Sequence, residues 1–497
     1  DLKLNLSLFL FFAIFFMPMV CNAKADFLLD RDVVTIYQSA FDLKLEKAGT
    51  QIKKAKNSRP DNLMLVFLEH YTDFLRAFTS EEKVAVDRLE KNLSQRIQKI
   101  HKGDKKSPFR LFLQAEMHLQ VGLVRLKFNK QIAAAQEIKK ANDLLIKNKR
   151  LFPGFIENDK TLAIIHGLSG TIPDSYKGLV NLVTGLEGSV PEGISMIRKV
   201  VENLRKRKTS LFYKESVIIF AMMTLHLGDD KEASWNIIHN SGLDISGSLL
   251  AVYAKAHIAR SSGRTAIAIE LLENRPKGGE YSSFYLLDLM LGINRLHQLN
   301  PKAKDDLIRF LKNYKGHNFI KEAYQKLAWF SIALHNDQAS ASVFYNACRS
   351  KGYADSEEDQ SAMMEAKSGK IPQRDLLKAR LLTDGAYFEK SLKLLQEERK
   401  VLDKVDALQT QYLIARNYQS LGRSEDALKY FNRLLTDYPK SREYQVCNAA
   451  LQSGLISEKN GDVGKAKYYY RKCLGLNPEK YKSGIHQKAE AGLNRLK

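Results

Sequence analysis

Apolar residues recur at three- and four-residue spacing along almost the whole chain, from 32–56 through 60–101 and 107–148 to the C-terminus. No stretch alternates with the period of two that a half-buried strand requires. The pattern predicts an all-α protein. The periodic stretches come in pairs separated by short polar turns, which predicts roughly nine to eleven helical hairpins in series. A hairpin built this way has an apolar face that only a neighbour can cover, so the units must stack, and the expected architecture is a helical-hairpin repeat array, an α-solenoid.

The repeat is clearest near the C-terminus, where YLIARNYQSLGRSEDALKYFNRLLTDYP (412–439) is followed by NAALQSGLISEKNGDVGKAKYYYRKCLGLNP (448–478). Aligned on Gly422 and Gly461, the two share Ala415 and Gly454 before the turn, then Ala427 and Ala466, Phe431 and Tyr470, and finally Pro439 and Pro478. Small residues let paired helices approach, the aromatic fills the space towards the next hairpin, and the proline ends the second helix. This order resembles the tetratricopeptide repeat. Upstream, the same reading places turns at Gly385, Asn336, Gly263 and Gly228.

The stretch GSVPEGIS (188–195) comes close to a phosphate-binding loop, with Gly188, Gly193 and Ser195 in register and Ile194 where the lysine would stand. Without that lysine or a preceding strand, it reads as one glycine turning the chain and a second allowing close helix packing, with Pro191 in the first turn of the next helix. Residues 165–197 as a whole resemble a signature of the eukaryotic outer-membrane and inclusion-body-clearance family of tetratricopeptide proteins. The resemblance implies an all-helical fold with repeats towards the C-terminal end.

The N-terminus departs from the periodic pattern. Lys3, an uncharged run from Leu6 to Cys21 and then Ala23-Lys24-Ala25 follow the order of a secretory leader, with cleavage expected after Ala25. The chain is accordingly divided into a signal peptide at 1–25, long N-terminal hairpins at 26–152, divergent repeat hairpins at 153–370 and C-terminal repeats at 371–497. The formal charge of +22 becomes +21 when Asp1, Lys3 and Lys24 leave with the leader. That excess suits an acidic partner such as an anionic membrane surface or glycan, and export argues against nucleic acid. The three remaining cysteines, Cys348, Cys447 and Cys473, are too few for a disulfide framework and read as small apolar helix residues, with a Cys447–Cys473 bridge left open.

Little in the sequence points to catalysis. The 11 histidines form no metal-binding spacing. His226, His257 and His335 each precede a repeat turn, where capping or packing explains them. Asp229-Asp230 and Glu357-Glu358-Asp359 fall where helices begin, and nothing calls for a metal or cofactor. The candidate site is the concave face, which the first helix of each hairpin lines. In the last two repeats its exposed positions are Tyr412, Arg416, Gln419, Asn448 and Gln452. Repeats of the resembled family that grip a C-terminal carboxylate use Lys and Asn there; Tyr412, Arg416 and Gln452 at those positions imply a different ligand. The expected function is a non-enzymatic scaffold or adaptor of the bacterial envelope, periplasmic or outer-membrane associated, that binds a protein or peptide. The alternative is capture of an acidic ligand through the basic surface.

Overall fold

The computed structural model describes residues 26–170, 188–207, 211–479 and 481–496; the expected leader, with Ala23 and Ala25, lies outside them, as do 171–187 of the 165–197 stretch. Among the described residues there are twenty-four helices, and the only extended pairing is an isolated bridge between Asp26 and Asn62. With Glu357–Ser368 and Lys482–Arg495 set aside, the other twenty-two pair off in sequence as eleven hairpins, the upper end of the expected range. The fold is an all-α helical repeat array. No described helix is long and apolar enough to cross a membrane.

The C-terminal repeats show why each repeat position needs its residue type. Gly422 and Gly461 adopt φ of 75° and 78°, left-handed turns that glycine enters without strain. Ala427, Ala466, Phe431 and Tyr470 are fully buried. A Cβ on Gly454 would stand 2.6 Å from the Tyr470 ring, and one on Gly492 would stand 2.5 Å from its other side. Tyr470 is thus packed between two helices that come close enough only because each presents a glycine.

Two turns differ from the sequence reading. The left-handed residue is Asp229 (φ 53°) rather than Gly228, and Ala386 (φ 62°) rather than Gly385. Both glycines are needed for space instead, because a Cβ would meet Thr224 O at 2.8 Å from Gly228 and His297 Cβ at 2.8 Å from Gly385. The same use explains GSVPEGIS. Ser189 caps the helix Val190–Lys206 with Pro191 in its first turn. A Cβ on Gly193 would sit 2.6 Å from Ala163 O, so this glycine joins two helices at close range and has no phosphate role. The acidic clusters also begin helices: Asp230 accepts from Ala233 N at 2.9 Å. Asp359 reaches across to cap Ile320–His335, accepting from Phe319 N at 2.6 Å and Glu322 N at 3.0 Å.

The array does more than stack neighbour on neighbour. A continuous hydrophobic core runs from Phe27 to Leu327, with further cores at Leu296–Leu381 and Leu376–Ala489. At its N-terminal end, Lys160, 2% exposed, donates to Glu116 at 2.7 Å and to Glu215 at 3.1 Å, and Tyr37 OH donates to the same Glu215 oxygen at 3.0 Å. This charged group ties together helices that start at residues 31, 109, 157 and 213. Farther on, Ser282 N donates to Leu43 O at 2.7 Å, Lys44 pairs with Glu280 at 3.1 Å, and Lys488 pairs with Asp229 at 2.6 Å. The solenoid therefore coils tightly enough for one turn to touch the next.

Candidate partner-binding groove

The last repeats place the expected residues on two adjacent inner helices. Arg399–Ser420 contains a break at Asp406 (φ −155°, ψ 80°), and Asp406 Oδ1 accepts from Gln409 N at 2.9 Å, so the inner helix proper starts there. Tyr412, Arg416 and Gln419 follow one another along one face of it. Asn448 and Gln452 take the facing positions on Tyr444–Lys459. The structure joins four of the five in one chain of hydrogen bonds. Gln419 Nε2 donates to Gln452 Oε1 at 2.7 Å, Gln452 Nε2 to Asn448 Oδ1 at 3.2 Å, and Asn448 Nδ2 to Tyr412 OH at 2.6 Å.

This chain fixes the side chains before any ligand arrives, so less entropy is lost on binding. It also makes Tyr412 less available than its position suggests. The residue is 9% exposed, its ring lying edge-on to Tyr444 at 6.2 Å and against Phe431 at 6.4 Å. Burial and the neighbouring Tyr412 push the Tyr444 phenol up to about 12. Arg416 is the exception. It is half-buried and makes no side-chain hydrogen bond or ion pair among the described residues.

Upstream, the same face carries charged groups that the sequence did not single out. Lys326 pairs with Glu322 at 3.6 Å and lies 3.9 Å over the Trp329 ring, and Arg380 stacks on the same indole at 4.8 Å while facing Asp384 at 3.8 Å. Arg260, half-buried, has no such partner among the described residues. The charges of Arg380, Lys326, Arg260 and Arg416 all bear on the Asp384 carboxyl, which is 45% exposed. These four cations come from four different inner helices, so the carboxyl marks where a row of positive charge passes along the concave face. Glu322 is raised by burial, with Lys326 opposing. Each of the four inner helices carries other charged residues as well, so the sequence did not set these four cations apart.

The histidines belong to this wall as packing groups. His226 Nε2 and His257 Nε2 are 3.0 Å apart on adjacent inner helices. Burial, then Arg260 and His226, bring His257 down to about 3, and burial, then Arg260, lower His226. Among the described residues no three His, Cys, Asp or Glu side chains are placed to hold a metal ion.

Residues 409–441, which contain the turn at Gly422 and the buried Phe431, match the tetratricopeptide repeat family. The chain carries a tetratricopeptide repeat. No curated protein matches the chain. Among solved structures it is similar to Naa15/Naa10 bound to HypK-THB, at 13% identity and TM-score 0.25, covering 93% of this chain and 66% of that one, just under two thirds of its length. It is also similar to the APC/C hetero-tetramer Cut9–Hcn1, at 14% identity and TM-score 0.26 with 93% and 96% covered. A third likeness is to the P58(IPK) TPR domain, at 14% identity and TM-score 0.21 with 86% and 98% covered.

Proposed function

We propose that this tetratricopeptide-repeat protein is a non-enzymatic scaffold that holds a protein or peptide partner along its concave face, exported to the bacterial envelope by the leader expected at 1–25. The observation that carries the groove reading is the row of cations ending in Arg416, half-buried and unpaired among the described residues beside side chains already fixed by the Gln419–Gln452–Asn448–Tyr412 chain. Fixed amides supply directional contacts, and the guanidinium groups of Arg416 and Arg260 supply an anchor for a carboxylate of the partner. An extended segment with acidic side chains fits this face.

The test is a pull-down with the chain from residue 26 at low and high salt, beside an Arg416→Glu variant. Recovery of one protein at both salts, and its loss with the variant, supports the groove. Recovery of anionic lipid or glycan alone, lost at high salt and unaffected by Arg416, overturns it in favour of charge-driven capture, the reading that the +21 balance of the exported chain favours.

A further inference from the structure

Away from the concave face, a cavity of about 550 Å³ opens between the end of Thr265–Glu273 and the hairpin of Leu286–His297 with Ala303–Asn313. Five of its lining side chains are cations: Arg275, Lys277, Arg295, Lys302 and Arg309. Glu273 and Asp306 are the carboxylates among them, and Asp288 stands behind.

The arginines are fixed by this acidic set. Asp288, 7% exposed, takes Arg275 at 2.6 Å and Arg309 Nε at 3.0 Å. Asp306, 2% exposed, takes both Arg309 and Arg295, and Arg295 extends to Glu273. Three guanidinium groups are thus held in a continuous alternation of charge, and these pairings raise Arg295 and Arg309 above the ordinary arginine range against the lowering effect of burial.

Two observations go beyond what holding helices together requires. Lys277 and Lys302 make no side-chain hydrogen bond or ion pair among the described residues, so five cations face three carboxylates and a surplus of two positive charges lines the cavity. Arg295 Nε is a buried donor with no acceptor. Guanidinium groups whose geometry is set in advance match the oxygens of a phosphate, and ordering them costs the ligand little. A surplus of two charges matches a phosphate monoester dianion or a diphosphate better than a single carboxylate.

We propose that this pocket binds a phosphate-bearing anion. The phosphate comes either from a soluble ligand or from a lipid headgroup, and the test separates the two. Inorganic pyrophosphate is titrated calorimetrically into the full chain at constant ionic strength, beside a Lys277→Gln/Lys302→Gln variant. In parallel, both proteins are floated with phosphatidylcholine vesicles with and without phosphatidic acid. The two lysines lie outside the arginine–aspartate chain, so the variant should melt with the wild type. The expected result is saturable one-site binding, weakened about tenfold or more in the variant. Flotation with phosphatidic acid that the variant loses assigns the phosphate to a lipid; pyrophosphate binding without flotation assigns it to a soluble ligand. Absence of saturable binding in both arms, or equal binding by the variant, overturns the proposal. Arg416→Glu should bind pyrophosphate as the wild type does, so failure here and failure of the groove reading are distinguishable.

Discussion

Glu81 accepts two hydrogen bonds from Asn318, from its backbone N at 3.0 Å and its Nδ2 at 2.9 Å, across 237 positions of sequence. Leu43 and Ser282 are 239 positions apart by their numbers, and Asp229 and Lys488 are 259 apart. Similar separations at three places along the chain are what a coil with touching turns produces. An array in which each repeat meets only its neighbours would show none.

Glu81 is 1% exposed and also pairs with Lys127 at 2.6 Å; Glu81→Ala leaves Asn318 N without its acceptor and Lys127 without its counter-ion, while Asn318 Nδ2 keeps Lys127 O and Lys127 Nζ keeps Phe78 O. A loss of about 1–3 kcal/mol is expected. Hydrogen–deuterium exchange should speed up around residues 316–320 as well as around residue 81. Faster exchange near residue 81 alone would mean that the two turns are stable separately.

Two glycines should respond in opposite directions. Gly193→Ala forces a Cβ against Ala163 O and Gly167 N, at 2.6 and 2.9 Å, and should cost about 1–3 kcal/mol as the helices part. Gly49, inside Leu45–Ser58, has nothing within 4 Å of its Cβ position, so Gly49→Ala should stabilise by about 0.5–1 kcal/mol. Thermal melts of the two variants test the close approach directly. A neutral Gly193→Ala would remove the reason given for this residue in GSVPEGIS.

Glu137 provides a pH signature. Burial would raise its carboxyl, but hydrogen bonds from His118 and Lys140 bring it down to about 2, from an ordinary 4.5. Its folded value is depressed, so its stabilisation is present above about 4.5 and is lost as pH falls towards 2. The difference of 2.5 units corresponds to about 3 kcal/mol. The stability gap between wild type and Glu137→Gln, measured by urea unfolding, should therefore narrow from pH 5 down to pH 2.5. A constant gap would show that the carboxylate's charge does not matter there.

Cys447 and Cys473 are buried free thiols with Sγ atoms 3.7 Å apart. Closing them to a disulfide requires a movement of about 1.7 Å. Treatment with diamide, which takes up the two hydrogens, should give an intramolecular bridge seen as a loss of two mass units in the linked peptides. Cys348, also buried and with its thiol raised to about 11 by burial, should stay reduced. Oxidation of Cys348 first would contradict this ordering.

The helices and their pairing were legible because burial imposes a 3.6-residue period on each of them. The turns were legible where glycine supplies the left-handed residue, as at Gly422 and Gly461, and shifted by one where glycine is spent on space, as at Gly228 and Gly385. The spacing of Tyr412, Arg416 and Gln419 marked one helix face. The hydrogen bonds linking that face to Asn448 and Gln452 depend on the distance between helices, which no local pattern encodes. Contacts such as Glu81–Asn318 join loops that share no periodicity, so nothing in either segment announces the other. The alternation of Asp288 and Asp306 with three arginines was hidden for the same reason, since its members lie up to 34 positions apart, from Arg275 to Arg309.

Touching turns also determine how the molecule carries load. An open solenoid pulled from its ends extends like a soft spring, each hairpin hinging a little on the next. Here the ties at Leu43, Glu81 and Asp229 act as latches, and length is gained only when they part. The Asp229–Lys488 latch joins side chains 62% and 57% exposed, whereas the Glu81 carboxylate is fully enclosed. Under tension the exposed Asp229–Lys488 tie should part before the enclosed contacts of Glu81.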